Sequence, residues 1–499
     1  MKMRENVTIR IALERGTGNF WIDTGLVILA QGLEEGEHEA DAVIERLLAR
    51  VTQKTGNTGL YYDPREGRLR EYEKTNWAYP INLFIKVAGD AGKKVTIDGQ
   101  TYPTRPPAFQ LKLDLSKRPA SCDICGEHGP VTDAKMWMFP FLVDPGKFGN
   151  FYPGLRRGVR LCARCALAGL AAYLGWLWKA QGQDALHFFI FHSELDEMER
   201  LHRQVLGPLR SQGGKGGNAP VAFSGPYIHE TVLGLLLQLF SHARSSDVLE
   251  EEGRFALARL LGATAAAPPP VTLYAVSGRP GQAFSMTALR EFSRLQDLFR
   301  LYERWLGVIS ERRIDKDSHA RVVRVFAQFQ APQGKSWESL WRDRIAWAVL
   351  SFDDPFPFIE QFLYEVRARE ESPKPLARGT LEVFEQYAQE VMGMDEQFQR
   401  TLAGFGHSLG IAAQEHNEMG LLYELRNAKN PEAFYRVLND AQFRLEATVP
   451  EALLRIERGE RIAGVPWVRV KTILAIYAMN AFLRKGSYQS GQSQAREED

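Results

Sequence analysis

All four cysteines of the 499-residue chain fall into two Cys-x-x-Cys pairs, Cys122-Asp-Ile-Cys125 and Cys162-Ala-Arg-Cys165. Each pair can turn two thiolates toward one point, and two such knuckles complete the tetrahedral four-sulfur shell that zinc prefers. Gly126 follows the first pair, where a tight turn is needed. The 36 residues between the pairs exceed the roughly 15 to 20 of a compact zinc ribbon, so the expected Zn2+ clips the base of a long excursion. Such a site is coordinatively closed, which makes it structural and unsuited to activating water. Other uses of the sulfurs stay open at this level. Disulfides need an oxidising compartment, whereas the opening MKMRENVTIRIAL has charges among alternating apolar residues and no secretion-type apolar core. A redox dithiol that opens a helix explains one pair and leaves the other idle. His128, three residues beyond Cys125, is a possible replacement ligand.

The pattern around the cysteines predicts an α+β protein: a mixed α/β N-terminal part with an inserted four-cysteine module, followed by an all-α C-terminal bundle. Val7, Ile9, Ile11 and Leu13 alternate as in a half-buried strand. Asp23 or Thr24 is the expected cap of a helix in FWIDTGLVILAQGL. Val43, Ile44, Leu47, Leu48 and Val51 form one helical stripe, and Asp98-Gly99 marks a type I′ hairpin. Phe109, Leu111 and Leu113 alternate again. Ala166 to Trp178 reads as a helix buried on every side, and His187–Phe191 and Val271–Val276 as strands. From about Met286 only helical periodicity is evident, and the polar tail from Gly486 is expected to fray. The expected division is 1–116 (mixed α/β), 117–166 (zinc module), 167–284 (rest of the α/β body), 285–375 (helical) and 376–499 (C-terminal bundle). Pro- and Gly-rich breaks fall at 213–220, 265–270 and 371–375. The longest uncharged apolar run, Cys165 to Trp178, has 14 residues. At about 1.5 Å per residue it is too short to cross a bilayer, so the expectation is a cytoplasmic protein without membrane contact.

Lys and Arg number 62 against 61 Asp and Glu, so any nucleic-acid contact must come from local patches. Three present themselves. Between Lys117 and Arg164 eight basic residues, Lys147, Arg156, Arg157 and Arg160 among them, face four acids and interleave with aromatics. In SQGGKGGN, glycines permit close backbone approach, Lys215 can neutralise a phosphate, and Gln212 and Asn218 carry base-reading amides. Arg203 and Arg210 flank that stretch, and no acid occurs between Arg200 and Glu230. A third patch, Arg455 to Lys485, has seven basic residues against two Glu and includes Arg469 and Lys471. Solvated helix faces and a flexible linker are the competing readings of these patches. Catalytic patterns are missing: His229-Glu230 has no second histidine at metalloprotease spacing, and Asp353-Asp354 precedes Pro355, as a helix-ending or capping pair does.

The strand followed by NFWIDTGLVILA, the CDICG and LCARCA knuckles, and a helical C-terminal third together resemble the CXXC-CXXC class of CRISPR large subunits of type I-B or closely related Cascade complexes. The resemblance spans most of the chain in layout and is sharp only at the cysteines and the Trp-Ile-Asp-Thr-Gly segment. It implies a non-catalytic subunit that holds zinc on Cys122, Cys125, Cys162 and Cys165. Such a subunit touches the crRNA 5′ handle, reads the PAM of target double-stranded DNA and helps recruit the helicase-nuclease, beside the backbone, handle-binding and small subunits. Base pairing then carries the sequence information, which suits a near-neutral protein. A zinc-stapled adaptor that binds proteins alone, or a nuclease, is the rival expectation.

Overall fold

A computed structural model describes residues 7–13, 16–78, 81–83, 85, 89–135, 137–139, 158–181, 184–213, 218–263, 271–279, 285–310, 314, 316–334 and 336–497. The fold is mixed α and β, and its chain forms two compact units. One comprises Met1–Pro220 and Leu239–Gln296, the other Val221–Gln238 and Asp297–Asp499.

In the first unit, strand β1 (Thr8–Ile11) buries Ile9 and Ile11, and helix α1 (Phe20–Gly32) follows. The chain returns through β2 (Gly36–Glu39), antiparallel to β1, into α2 (Ala40–Val51), whose Val43, Ile44, Leu47 and Val51 are buried as their spacing requires. Two hairpins come next: β3 (Thr52–Asp63) with β4 (Arg68–Trp77), then β5 (Lys94–Ile97) with β6 (Gln100–Pro103). The second hairpin turns at Asp98 and Gly99, both at positive φ (49° and 79°), the type I′ conformation expected of Asp-Gly. Short strands β7 (Ala120–Ser121), β8 (His128–Gly129), β9 (Val131–Asp133) and β10 (Arg160–Cys162) frame the cysteines and lead into α3 (Ala163–Ala171). A four-stranded antiparallel sheet, ordered β11 (Leu177–Gln181), β12 (Asp184–Phe191), β13 (Thr272–Arg279), β14 (Ser285–Phe292), completes the unit. Between β12 and β13 run α4 (Leu195–Leu201), a π-helical turn (His202–Leu206), α5 (Gly207–Gln212), α6 (Ile228–Arg244), which spans the 238/239 division, and α7 (Glu251–Leu260).

Helices dominate the second unit. Helix Glu396–Glu415 lies along helix Trp467–Glu497, where a Cβ at Gly410 would overlap the Ala478 carbonyl, so glycine permits the close approach. The buried Tyr364 hydroxyl has the Leu422 and Ala475 carbonyls within 3.2 Å. Asp354 Oδ1 accepts from Phe356 N at 3.0 Å, so it closes an Asx turn one residue ahead of Pro355, which itself is the N-cap of the helix Phe356–Glu365. Two small hairpins, Ala331–Gln333 with Ser336–Glu338 and Arg461–Ile462 with Val465–Pro466, interrupt the helices.

Several local expectations are corrected. Asn19, rather than Asp23 or Thr24, caps α1, accepting from Trp21 N and Ile22 N at 3.1 Å. Ala166 to Trp178 is not one helix: α3 stops at Ala171, and Leu177 and Trp178 belong to β11. Uniform apolarity marks full burial in either structure and cannot tell a helix from a buried strand. The helical pattern begins at Leu295 and not at Met286, because Ser285–Phe292 is an edge strand with mostly exposed side chains that carries no strong alternation. Phe109, Leu111 and Leu113 alternate in burial, yet they join no ladder. The polar tail continues the helix that starts at Trp467 as far as Glu497. Among the described residues no helix is long and apolar enough to cross a membrane.

Candidate metal centre

The first knuckle is a hairpin. β7 pairs with β8, Cys122 N donates to Glu127 O at 2.8 Å, and Gly126 N donates to Cys122 O at 3.0 Å. Gly126 sits at φ 76°, which an L side chain would resist. β10 then pairs with β9 so that Cys162 lies opposite Val131, bringing the second knuckle alongside. Asp123, inside the first pair, clamps the two together: its N–H donates to Arg160 O at 2.8 Å, and its Oδ2 accepts from Arg160 N at 2.7 Å. Cys162 is the N-cap of α3, its Sγ accepting from Cys165 N at 3.5 Å.

These elements bring the four sulfurs within 4.8 Å of one another, with Cys125 and Cys162 at 3.7 Å. All four cysteines are free of disulfides; Cys122, Cys162 and Cys165 are buried and Cys125 is half-buried. His128 stands opposite Ser121 on the hairpin, outside the cluster. Thiol hydrogen bonds from Cys162 and Cys165 hold Cys122 far below the usual thiol range, and one from Cys165 brings Cys125 to about 7. Hydrogen bonding to Cys122 pushes Cys162 and Cys165 upward in return. Without a cation the cluster thus shares protons among crowded sulfurs. A cation that favours thiolate replaces those protons and removes the repulsion between anions. The site can hold a metal ion, and its four sulfur donors leave no position for substrate.

The Trp-Ile-Asp-Thr-Gly segment supports this centre from α1. Trp21 is fully buried and donates from Nε1 to Met138 O at 2.9 Å, just beyond the first knuckle. Asp23 folds the preceding turn onto the helix by accepting from Thr17 N (2.7 Å) and Gly18 N (2.9 Å). Thr24 Oγ1 donates to Phe20 O, and a Cβ at Gly25 would collide with Ala168 O on α3, so glycine sets the spacing of α1 against α3. Asp123 and Met138 O escaped sequence reasoning. An acid within a Cys-x-x-Cys was the one available sign.

Among the described residues, the nucleic-acid candidates are divided between the two units. Lys147, Arg156, Arg157 and Lys215 lie outside the described residues. Arg160 uses its backbone in the knuckle clamp. Exposed Arg203 pairs with Glu199 at 3.5 Å. Gln212 is exposed at the end of α5, and Asn218 forms a bridge to Trp178. In the second unit, Arg469 Nε pairs with Asp354 Oδ2 at 2.8 Å. Lys471 Nζ donates to the Arg426 and Ala428 carbonyls at 2.7 and 3.1 Å, closing the C-terminal end of the helix Met419–Asn427. Arg469 and Lys471 are thus committed inside the bundle. Arg210 is the exception, with its Nε enclosed and unmatched. No protein-family model matches the chain, and no curated protein matches it.

Proposed function

We propose that this chain is a non-catalytic large subunit of a type I-B or closely related CRISPR Cascade complex, with Zn2+ as the ion on its four cysteines. The observation that carries the reading is the convergence of CDIC and LCARC, across 36 intervening residues, on one closed sulfur site braced by the Trp-Ile-Asp-Thr-Gly helix. Those are the residues at which the resemblance is sharp. A four-thiolate shell favours zinc among abundant intracellular ions, and it stabilises a fold without offering a catalytic position. In this role the subunit contacts the crRNA 5′ handle and the PAM of target double-stranded DNA, and it recruits the helicase-nuclease. The chain co-purified with its Cascade partners should carry one zinc per copy. It should also bind PAM-containing duplex with an affinity that falls as salt rises. A complex with no zinc, or one indifferent to the PAM, counts against the proposal. The internal use of Arg469 and Lys471 favours a second reading, a zinc-stapled adaptor that binds only proteins. A complex that assembles with zinc and binds no duplex at either salt concentration would select it.

A further inference from the structure

From Arg455 to Trp467 the chain reads RIERGERIAGVPW, with arginines and acids in near alternation, yet the fold treats the two signs differently. Glu457 N donates to Arg461 O at 2.7 Å, which closes a tight turn over Arg458, Gly459 and Glu460. The chain then forms the hairpin of Arg461–Ile462 with Val465–Pro466 and enters the helix that starts at Trp467. Each acid is tied back onto this framework. Glu457 Oε2 accepts from Gly464 N at 3.1 Å, and Glu460 Oε2 accepts from Nε1 of the buried Trp467 at 3.0 Å.

The arginines have no such answer. Arg455, Arg458 and Arg461 are exposed, and none makes an ion pair among the described residues. Their one side-chain hydrogen bond runs from Arg461 Nη1 to Gly464 O at 3.2 Å and leaves the rest of that guanidinium free. Glu451, the remaining unpaired acid of the segment, is set apart in the chain by the buried Leu453. Backbone strain marks the same stretch. Gly459 and Gly464 lie at positive φ, as glycine can, but so do Glu460 (55°) and Ala463 (48°), where a side chain is disfavoured. Such conformations persist where the surroundings over-determine them, and they cluster at ligand-contacting sites. Here they shape a loop whose unanswered charges are guanidinium groups. Leu454 (56% exposed) and Ile456 (40%) border Arg455.

We propose that Arg455, Arg458 and Arg461 form a contact for the phosphate backbone of nucleic acid, without regard to base sequence. Guanidinium forks pair with phosphate oxygens two at a time, and a loop already held in shape loses little freedom on binding. Leu454 and Ile456 supply an apolar border on which thymine methyls can rest. The inference concerns the free chain and does not depend on the Cascade reading, which the zinc content and PAM binding of the assembled complex judge separately.

The test is fluorescence anisotropy of a labelled oligothymidylate of about 20 nucleotides, titrated with the full-length, metal-loaded protein between roughly 50 and 200 mM salt. The double variant Arg455→Gln/Arg458→Gln should weaken binding about tenfold at the lower salt. It should also flatten the slope of log affinity against log salt by about 1.4, for two phosphate contacts at about 0.7 each on a single strand. Both side chains are exposed, so the variant should melt with the wild type. Arg300→Gln, which removes an exposed arginine already paired with Asp297, should leave affinity and slope unchanged. A duplex of the same length is the second arm. Equal loss on both probes identifies a general backbone contact, and loss on the oligothymidylate alone identifies one for single strands. Wild-type protein that does not bind the oligothymidylate, or a double variant with unaltered affinity and slope, overturns the contact and leaves the loop to a protein partner.

Discussion

Replacing Cys162 by serine and by alanine separates two jobs performed by one sulfur. As a ligand, Cys162 closes the loop that begins at Cys125, with 36 residues between them. Treating the metal as a cross-link, closure of such a loop is worth about 13 cal/mol/K, or about 4 kcal/mol at 25 °C. As the N-cap of α3, the same sulfur accepts from Cys165 N, and losing a cap costs about 1 kcal/mol. A serine hydroxyl caps well but is a poor substitute for a thiolate ligand, so Cys162→Ser should lose the metal term alone. Cys162→Ala should lose both terms. At about 2 °C per kcal/mol for the first unit, which has about 280 residues, the serine variant should melt ~8 °C lower and the alanine variant ~2 °C lower still in the transition of that unit. Wild-type protein stripped by chelator should match the serine variant. Scanning calorimetry with metal analysis of the same samples checks all three values. Equal melting of the two variants would refute the capping argument, and a chelated wild type that melts like the loaded protein would refute the metal's structural role.

Two further outcomes follow from buried charge. Glu230 is fully buried, with Oε1 accepting from Ser339 Oγ at 2.8 Å and Oε2 from Arg342 Nε at 2.7 Å, while Arg342 is 2% exposed. Glu230→Gln should cost about 3–5 kcal/mol in urea unfolding by leaving that guanidinium unpaired, and a loss below about 1 kcal/mol would contradict the buried pair. Burial brings both His187 and His202 from 6.5 to about 3. Because the folded value is depressed, the unfolded chain binds more protons below pH 6.5. Stability is therefore complete above that pH and declines between 6.5 and 3, by about 1.4 kcal/mol per pH unit for each histidine. His202→Gln should remove one histidine's share of that slope between pH 6 and 4, and an unaltered slope would show that His202 is not buried neutral.

Legibility in the sequence followed the range of the interaction. The cysteine cluster was readable because ligand spacing is a local signal and only two pairs needed matching. α2 and the Asp98-Gly99 turn were readable for the same reason, since periodicity and positive φ act within a few residues. At the start of α1, Asn19 and Asp23 are both plausible caps by composition. What decides between them is that Asp23 is drawn back to Thr17 and Gly18. β14 was missed because an edge strand with exposed side chains needs no marked alternation. The Glu230–Arg342 pair joins residues more than 100 positions apart. No spacing rule reaches that far.

The two sharp motifs of the chain, about 100 residues apart, serve one purpose. Helix α3 does not need the ion to stay folded, for Cys165 through Ala171 are almost wholly excluded from water. It is held by packing, and Gly25 admits its backbone against α1. The hairpin bearing Cys122 and Cys125 is different: most residues from Ala120 to Gly129 are exposed or half-exposed, with little apolar area to hold them. A metal ion bound by all four sulfurs would therefore anchor that hairpin to a helix which the Trp-Ile-Asp-Thr-Gly segment has already fixed in place. Loss of the ion should free the hairpin first and leave α3 standing. A motif on α1 and two knuckles can thus persist together as one device, in which packing supplies the rigid half and the sulfurs tether the other.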